Sequence, residues 1–210
     1  ACSGEPNGPL QNFDVIVVTQ KIVSKAEGRL VAIDPDDPVS HKQLVEDEAV
    51  RIVRRRGDLI ITETKHGFVC ANSGIDLSNV ERGYAALLPI DSDRSARRVR
   101  DIVKARLGID VGVIVSDTFG RPWRNGLTDV AIGVAGIAGV LDLRGTPDAL
   151  GHVMQVTEVA IADELASTAE LVMGKSNGIP VAVIRGVDPS WFRDSSMREI
   201  VRPAQEDLFR

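Results

Sequence analysis

The chain has 210 residues, 43% hydrophobic and 26% charged, enough for one large domain or two small ones with a substantial core. Aromatics are only 4%, so Val, Ile, Leu and Ala must build that core, and the formal charge of −5 argues against a general nucleic-acid or membrane-surface binder. No run approaches the roughly 18 apolar residues of a membrane span. Two cysteines, Cys2 and Cys70, make neither a disulfide framework nor a zinc spacing, and a reducing, cytoplasmic compartment is the expectation. There is no signal peptide, and Ala1 in place of Met reads as an incomplete start.

Residues 1–12 are rich in Gly, Pro and Asn and read as a disordered or truncated start. Asp14 to Thr19 has four consecutive apolar residues and reads as a central strand. Leu30 to Ile33 is a short strand, and DPDDP at 34–38 is a breaker. Ser40 with Gln43 makes a capping box for a helix carrying Val45, Ala49, Ile52 and Val53, ended by Gly57. That helix takes in Arg54-Arg55-Arg56 as a solvated face. Leu59 to Thr62 and Phe68 to Ala71 are strands around a Lys65-His66-Gly67 turn, and Tyr84 to Leu88 is another, closed by Pro89.

Asp91 or Ser92 caps a helix with Val99, Ile102, Val103 and Leu107 on one face, Arg97-Arg98 in solvent, and Gly108 at its end. Val130 to Gly145 carries Gly133, Gly136 and Gly139, and fits close-packed strand and glycine-rich loop equally. Val156 to Met173 is the longest helix, with Val159, Ala162, Leu165, Ala166, Ala169, Val172 and Met173 toward the core and Asp163, Ser167 and Glu170 opposite. A buried strand follows at 181–185, then a polar tail with one helical pattern near Met197 to Val201. Strands and helices alternate irregularly, which predicts an α+β fold with a large mixed sheet, neither P-loop nor Rossmann.

The chemistry concentrates in VGVIVSDTFGRPWRNG, residues 111–126. An apolar strand runs into Ser116-Asp117-Thr118, and Gly120 and Pro122 forbid its continuation, so Asp117 falls at a strand tip in the mouth of a loop. A carboxylate, a hydroxyl and the guanidinium groups of Arg121 and Arg124 suit a cation with phosphate or carboxylate oxygens. A capped turn with its arginines in water explains the same residues. Trp123 is either a flat platform for a ring or a core or dimer-contact tryptophan. Asp76, in the loop 71–80, is a turn residue alone and a metal ligand if paired with Asp117. Gly174-Lys175-Ser176 ends like a P-loop, but the leading glycine falls on Ala169, and the segment closes a helix instead of opening one. His41, His66 and His152 have no metal-ligand spacing, and no nucleophile elbow is present.

The blocks VTQKIVSKAEGRL (18–30), ANSGIDLSNV (71–80), VSDTFGRPWRNG (115–126), VTEVAIADELA (156–166) and LVMGKSNGIPVAVIRG (171–186) resemble the coenzyme F420-0:L-glutamate (gamma-glutamyl) ligase family. The tail, RPAQEDLF at 202–209, is more similar to the ligase domain of the bacterial bifunctional members. The resemblance implies a ligase domain at 13–187 followed by a tail at 188–210. It implies addition of L-glutamate to a deazaflavin precursor with GTP, two Mg²⁺ or Mn²⁺ ions, K⁺ as a further cation, and a homodimer with 130–145 at the contact. Asp76 and Asp117 would hold one metal and Thr118 would belong to the second. GTP would meet Thr19, Gln20, Lys25 and Asn79, and Met173, Gly174, Lys175, Ser176, Asn177 and Gly178; Arg121, Trp123 and Arg124 would face the acceptor. Some members carry Glu at the position of Lys175, and the family has a longer segment before the Asp14 strand. Glu158 and Asp163 are weaker metal-facing candidates. A metal-dependent phosphohydrolase and a non-catalytic deazaflavin-binding module are the rival readings.

Overall fold

Val15, Ile16, Val17 and Val18 are buried on both faces of the central sheet, as a four-residue apolar run requires. The structure, a computed structural model, describes residues 8–37 and 39–208. Residues 1–7 of the expected disordered start, and Pro38 of the breaker, lie outside the described residues. In chain order the elements are β1 (Val15–Thr19), α1 (Gln20–Ala26), β2 (Leu30–Ala32), α2 (Lys42–Glu48), β3 (Ala49–Arg56), β4 (Leu59–Thr64), β5 (Val69–Ala71), β6 (Tyr84–Ala86), α3 (Ser92–Leu107), β7 (Gly112–Arg121), β8 (Arg124–Ala135), β9 (Leu141–Asp142), β10 (Glu158–Val159), α4 (Ile161–Met173) and β11 (Val181–Ile184). The fold is α+β, built on a mixed sheet of order β11-β1-β7-β8. There β1 runs parallel to β7, and the other two pairings are antiparallel. A second sheet, β3-β4-β5, and the pairs β2-β6 and β9-β10 complete the strands.

The main core joins β1, β7 and β8 to one face of α4, through Ile161, Ala162, Leu165, Ala166, Ala169 and Met173. Each fully buried Val or Ile contributes on the order of 1.5–3 kcal/mol, so this cluster dominates the stability. Helix α3 matches its expected bounds: the Asp91 carboxylate accepts from the Arg94 N–H at 2.8 Å, and Gly108 closes it in the left-handed region. Its N-terminus lies against β8, where a Cβ at Gly133 would sit 2.4 Å from the Ser92 carbonyl. The glycine-rich stretch is therefore both things: close-packed strand through Ala135, then loop. Residues 131–139 are buried within the chain's own core, and 141–145, at the end of the stretch, are half-buried or exposed.

Several expectations fail locally. The helix from Ser40 ends at Glu48, and Val50, Ile52 and Arg54-Arg55-Arg56 belong to strand β3. Gly57-Asp58 is the two-residue turn of a hairpin with β4, Arg56 facing Leu59, and not a helix cap. The β-branched run Val50-Ile52-Val53 favours that strand over a third helical turn. The capping box does not form: Ser40 Oγ donates to the Asp34 carbonyl and Gln43 to Asp47. The helix expected from Val156 begins only at Ile161, because Glu158 and Val159 pair with β9; α3 is the longest helix instead. Val172, expected in the core, is 62% exposed. Strand β11 is a half-exposed edge, with Val181 and Val183 open. In the tail, Trp191, Phe192, Ile200 and Val201 pack on the core, and the helical pattern is a single 3-10 turn at Met197–Glu199.

One charge pair, a buried Asp14 with a partly exposed Arg185, fixes the entry to β1. Arg185 clamps Asp14 with two hydrogen bonds of 2.7 Å, and the Gln11 N–H donates at 2.8 Å. The guanidinium holds the Asp14 carboxyl below the usual range, outweighing burial. A depressed folded pKa means that the stabilisation is present at neutral pH and lost as pH falls through it. Arg185→Met should therefore lower the melting temperature at pH 7, and the gap from the parent should shrink as pH falls below about 4. Melting curves from pH 3 to 8 check this; a gap that does not change between pH 8 and pH 3 would assign the effect to packing of the Arg185 stem.

Candidate active site

The parallel pairing of β1 with β7 stops at Thr19 opposite Ser116, because Gln20 begins α1. Asp117 and Thr118 are thus the first residues of β7 beyond its parallel neighbour, at the C-terminal edge where α/β clefts open. Strand β7 does not end there. It continues to Arg121 as a hairpin with β8, since only an antiparallel partner remains and Gly120 obstructs nothing there. Pro122 and Trp123 make the turn, with Trp123 at φ +56°.

The cleft is a cavity of about 610 Å³ walled by the α1 start, the loop after β5, the β7-β8 hairpin and the end of α4. The loop after β5 twists through Asn72, Ser73 and Asn79, all at positive φ, and Asp76 pairs its backbone with Ala86. That holds Asp76 on the cavity wall beside Asp117. Lys21 Nζ lies 2.6 Å from Asp76 Oδ2, and the Ser78 N–H donates to Oδ1 at 2.7 Å. Burial raises the Asp76 pKa, but these contacts prevail and hold it below the usual range.

Asp117 differs. Burial pushes its carboxyl up to about 7; the Thr118 N–H opposes, and the Asp76 and Asp129 charges add to the rise. Among the described residues no three His, Cys, Asp or Glu side chains surround one point. The pair Asp76 and Asp117 nevertheless fits a hard divalent cation, because hard oxygens are gathered there with more negative charge than the protein neutralises.

Asp129, opposite Thr118 in the hairpin, was not foreseen. It is only 4% exposed; Ser116 Oγ donates to it at 3.0 Å and Thr118 Oγ1 at 2.6 Å. Lys175 Nζ reaches Asp129 Oδ1 at 2.7 Å and Glu170 Oε1 at 3.3 Å, and also donates to Thr118 Oγ1. Burial pulls the Lys175 pKa down, but Asp129 and Glu170 more than offset it, so the ammonium stays charged. Lys21 and Glu170 were likewise overlooked as site residues. Helix α4 turns the supposed solvent side inward: Glu170 meets Lys175, Ser167 donates to the Asp129 carbonyl, and Asp163 accepts from the Ala131 N–H. Glu158 pairs with Arg144 at 3.2 Å.

Of the residues expected on GTP, Thr19, Gln20, Lys25, Asn79, Met173, Gly174, Lys175 and Gly178 all line the cavity. Ser176 and Asn177 sit in the same loop but not in the lining. Gln20 is buried, its amide donating to Ser24 and the Leu87 carbonyl. Lys25 Nζ donates to the Asn79 carbonyl at 2.8 Å, and Asn79 Nδ2 to the Lys175 carbonyl at 3.2 Å, tying three walls together. Arg121, Trp123 and Arg124 stand apart, at the exposed hairpin tip, with Trp123 83% exposed.

Residues 3–186 match the family model described as F420-0:Gamma-glutamyl ligase. The chain belongs to this family. It is 43% identical to the coenzyme F420:L-glutamate ligase of Methanocaldococcus jannaschii, over 96% of this chain and 86% of that protein. The protein of the same name from Methanococcus maripaludis strain C7 is also 43% identical, over 96% and 87% respectively. No helix among the described residues is long and apolar enough to cross a membrane.

The raised pKa of Asp117 has a sign that can be checked on metal-free protein. A group whose folded pKa is raised contributes stability below its unfolded pKa and loses it as pH rises through the folded value. With the folded value about 7, ionising Asp117 should cost the chelated protein at most about 4 kcal/mol between pH 4 and pH 8. Asp117→Asn should therefore melt higher than the parent at pH 8 in excess chelator, and the two should converge near pH 4. Added Mn²⁺ should raise the parent's melting temperature and leave the variant's unchanged. A parent that melts above the variant in chelator at pH 8 would show Asp117 to be compensated already.

Proposed function

We propose that the chain is a GTP-dependent ligase that joins L-glutamate to the deazaflavin precursor coenzyme F420-0. Its relatives are named coenzyme F420:L-glutamate ligases, which supports the amide-forming activity and the acceptor. The observation that carries the site assignment is the pair Asp76 and Asp117 on one cavity wall, with Lys21 and Lys25 beside them.

In this reading the carboxylate of the acceptor attacks the γ-phosphorus of GTP. The bond from γ-phosphorus to its bridging oxygen breaks, releasing GDP and leaving an acyl phosphate. The glutamate amine then attacks the carbonyl carbon, the carbon–oxygen bond to phosphate breaks, and amide, phosphate and the amine's proton are released. A divalent ion, Mg²⁺ or Mn²⁺, held by Asp76 and Asp117 would neutralise phosphate charge. Lys21 and Lys25 bring fixed positive charge to the same wall. The loop Gly174 to Gly178 and Asn79 set the width of the cleft through the Asn79–Lys175 bond. Thr118, expected on a second metal, is engaged by Lys175 and Asp129.

We further propose a homodimer in solution, as the family resemblance implies. Light scattering at micromolar concentration should give twice the chain mass, and a monomer would rule this out.

The activity is tested by mass spectrometry of F420-0 incubated with GTP, glutamate and Mn²⁺. Each turnover should yield one amide, one GDP and one phosphate. Asp76→Ala and Asp117→Asn should lower turnover by about 10²-fold or more while the protein stays folded. Phosphate release that does not depend on glutamate and acceptor would favour a phosphohydrolase. Calorimetric titration with GTP should show at least tenfold weaker binding in excess chelator and in Asp76→Ala, because no P-loop is there to keep the phosphates. Unchanged affinity in chelator would remove Asp76 and Asp117 from the nucleotide site.

A further inference from the structure

The Lys175 ammonium is unusually well accounted for. An ammonium has three N–H donors, and this one has three oxygen partners: Thr118 Oγ1, Asp129 Oδ1 and Glu170 Oε1. Asp129 is buried, its second oxygen is taken by Ser116, and Lys175 is the only cation paired with it among the described residues. Thr118 Oγ1 is used in both directions, donating to Asp129 and accepting from Lys175. Two carboxylates and a hydroxyl around one point are the donor set a hard divalent ion would take. Here a side chain fills it.

The backbone directs that side chain. Gly174, at φ +62° and ψ 177°, ends α4 in a conformation reserved for glycine, and a Cβ there would lie 2.5 Å from Asn177 Nδ2. The next residue is thereby turned back over the last turn of α4, where Glu170 waits. A helix C-terminus carries partial negative charge, which favours a cation at this place.

We propose that the Lys175 ammonium is a tethered cation of the active site, standing where a second divalent ion would bind, so that the chain works with one exchangeable divalent ion. This rests on the reading of Asp76 and Asp117 as the ligands of that ion. A second ion could enter only by expelling the ammonium from all three oxygens, or by sitting beside it against charge repulsion. The tethered cation also resists chelators, so one positive charge remains at Thr118 whatever the metal supply.

The test is Mn²⁺ titration of the full chain, with free Mn²⁺ read by electron paramagnetic resonance. The parent should bind one Mn²⁺ per chain. Lys175→Ala and Lys175→Glu should bind two, and the frozen doubly loaded variants should show the broadening of two neighbouring ions. Asp129→Asn added to Lys175→Ala should abolish the second ion. Melting curves keep the comparison to folded protein; Lys175 is more than half exposed, so its loss should be tolerated. Two ions in the parent, or only one in both Lys175 variants, would overturn the proposal while leaving the Asp76–Asp117 metal intact. No bound ion in the parent, or binding unaffected by Asp76→Ala, would instead overturn the underlying reading.

Discussion

The cleft exists because β1 leaves the sheet just before the chemistry on β7 begins. Up to Ser116, strand β7 has a neighbour on each side and presents only buried side chains. Beyond it the β1 side is open, and Asp117 and Thr118 project where α1 has turned away. Continuing the parallel pairing by two residues would press these side chains against a strand and close the cavity. The loop carrying Asp76 and the end of α4 serve to wall the opening that this early departure leaves.

The charge distribution follows from the same geometry. Three aspartates converge on the opening, and the protein supplies two close cations for them: Lys21 for Asp76 and Lys175 for Asp129. Asp117 between them is left with its neighbours' repulsion and its own desolvation, hence its pKa of about 7. Such an arrangement costs folding stability, and a fold selected for stability alone would place Asn there. Keeping a carboxylate makes sense where a cation arrives with the ligand.

Much of this was legible in the residues, and what was not has physical reasons. The caps of α3 and the apolar run of β1 were readable because local signals and tertiary packing agree there. Strand β3 misled because Val45, Ala49, Ile52 and Val53 satisfy helical spacing, while pairing across Gly57-Asp58 overrides so weak a pattern. The start of α4 was obscured by a two-residue strand too short to show periodicity. Asp76 and Asp117 were visible through their turn-rich surroundings. Asp129 lies among Leu127, Val130 and Ala131, and its partner Thr118 becomes apparent only once the Pro122-Trp123 turn fixes the register. A lone carboxylate in an apolar strand was the available signal. Arg121 and Arg124 drew attention by proximity in sequence, yet the hairpin carries them to its far tip.

The failed P-loop match finally becomes instructive. In a P-loop, the glycine-rich turn opens a helix, and the positive end of the dipole faces the phosphates. Here Gly174-Lys175-Ser176 closes α4, so the end nearest the cleft is the negative one. The partial negative charge at that end repels an anion and attracts a cation. The segment therefore does not offer phosphate the helix N-terminus of a P-loop, however similar its letters. It can hold a cation in place, and Lys175 is that cation, secured by Asp129, Glu170 and Thr118 before any ligand enters. The direction of one helix thus sets a cation, and not a helix N-terminus, on this wall of the cleft.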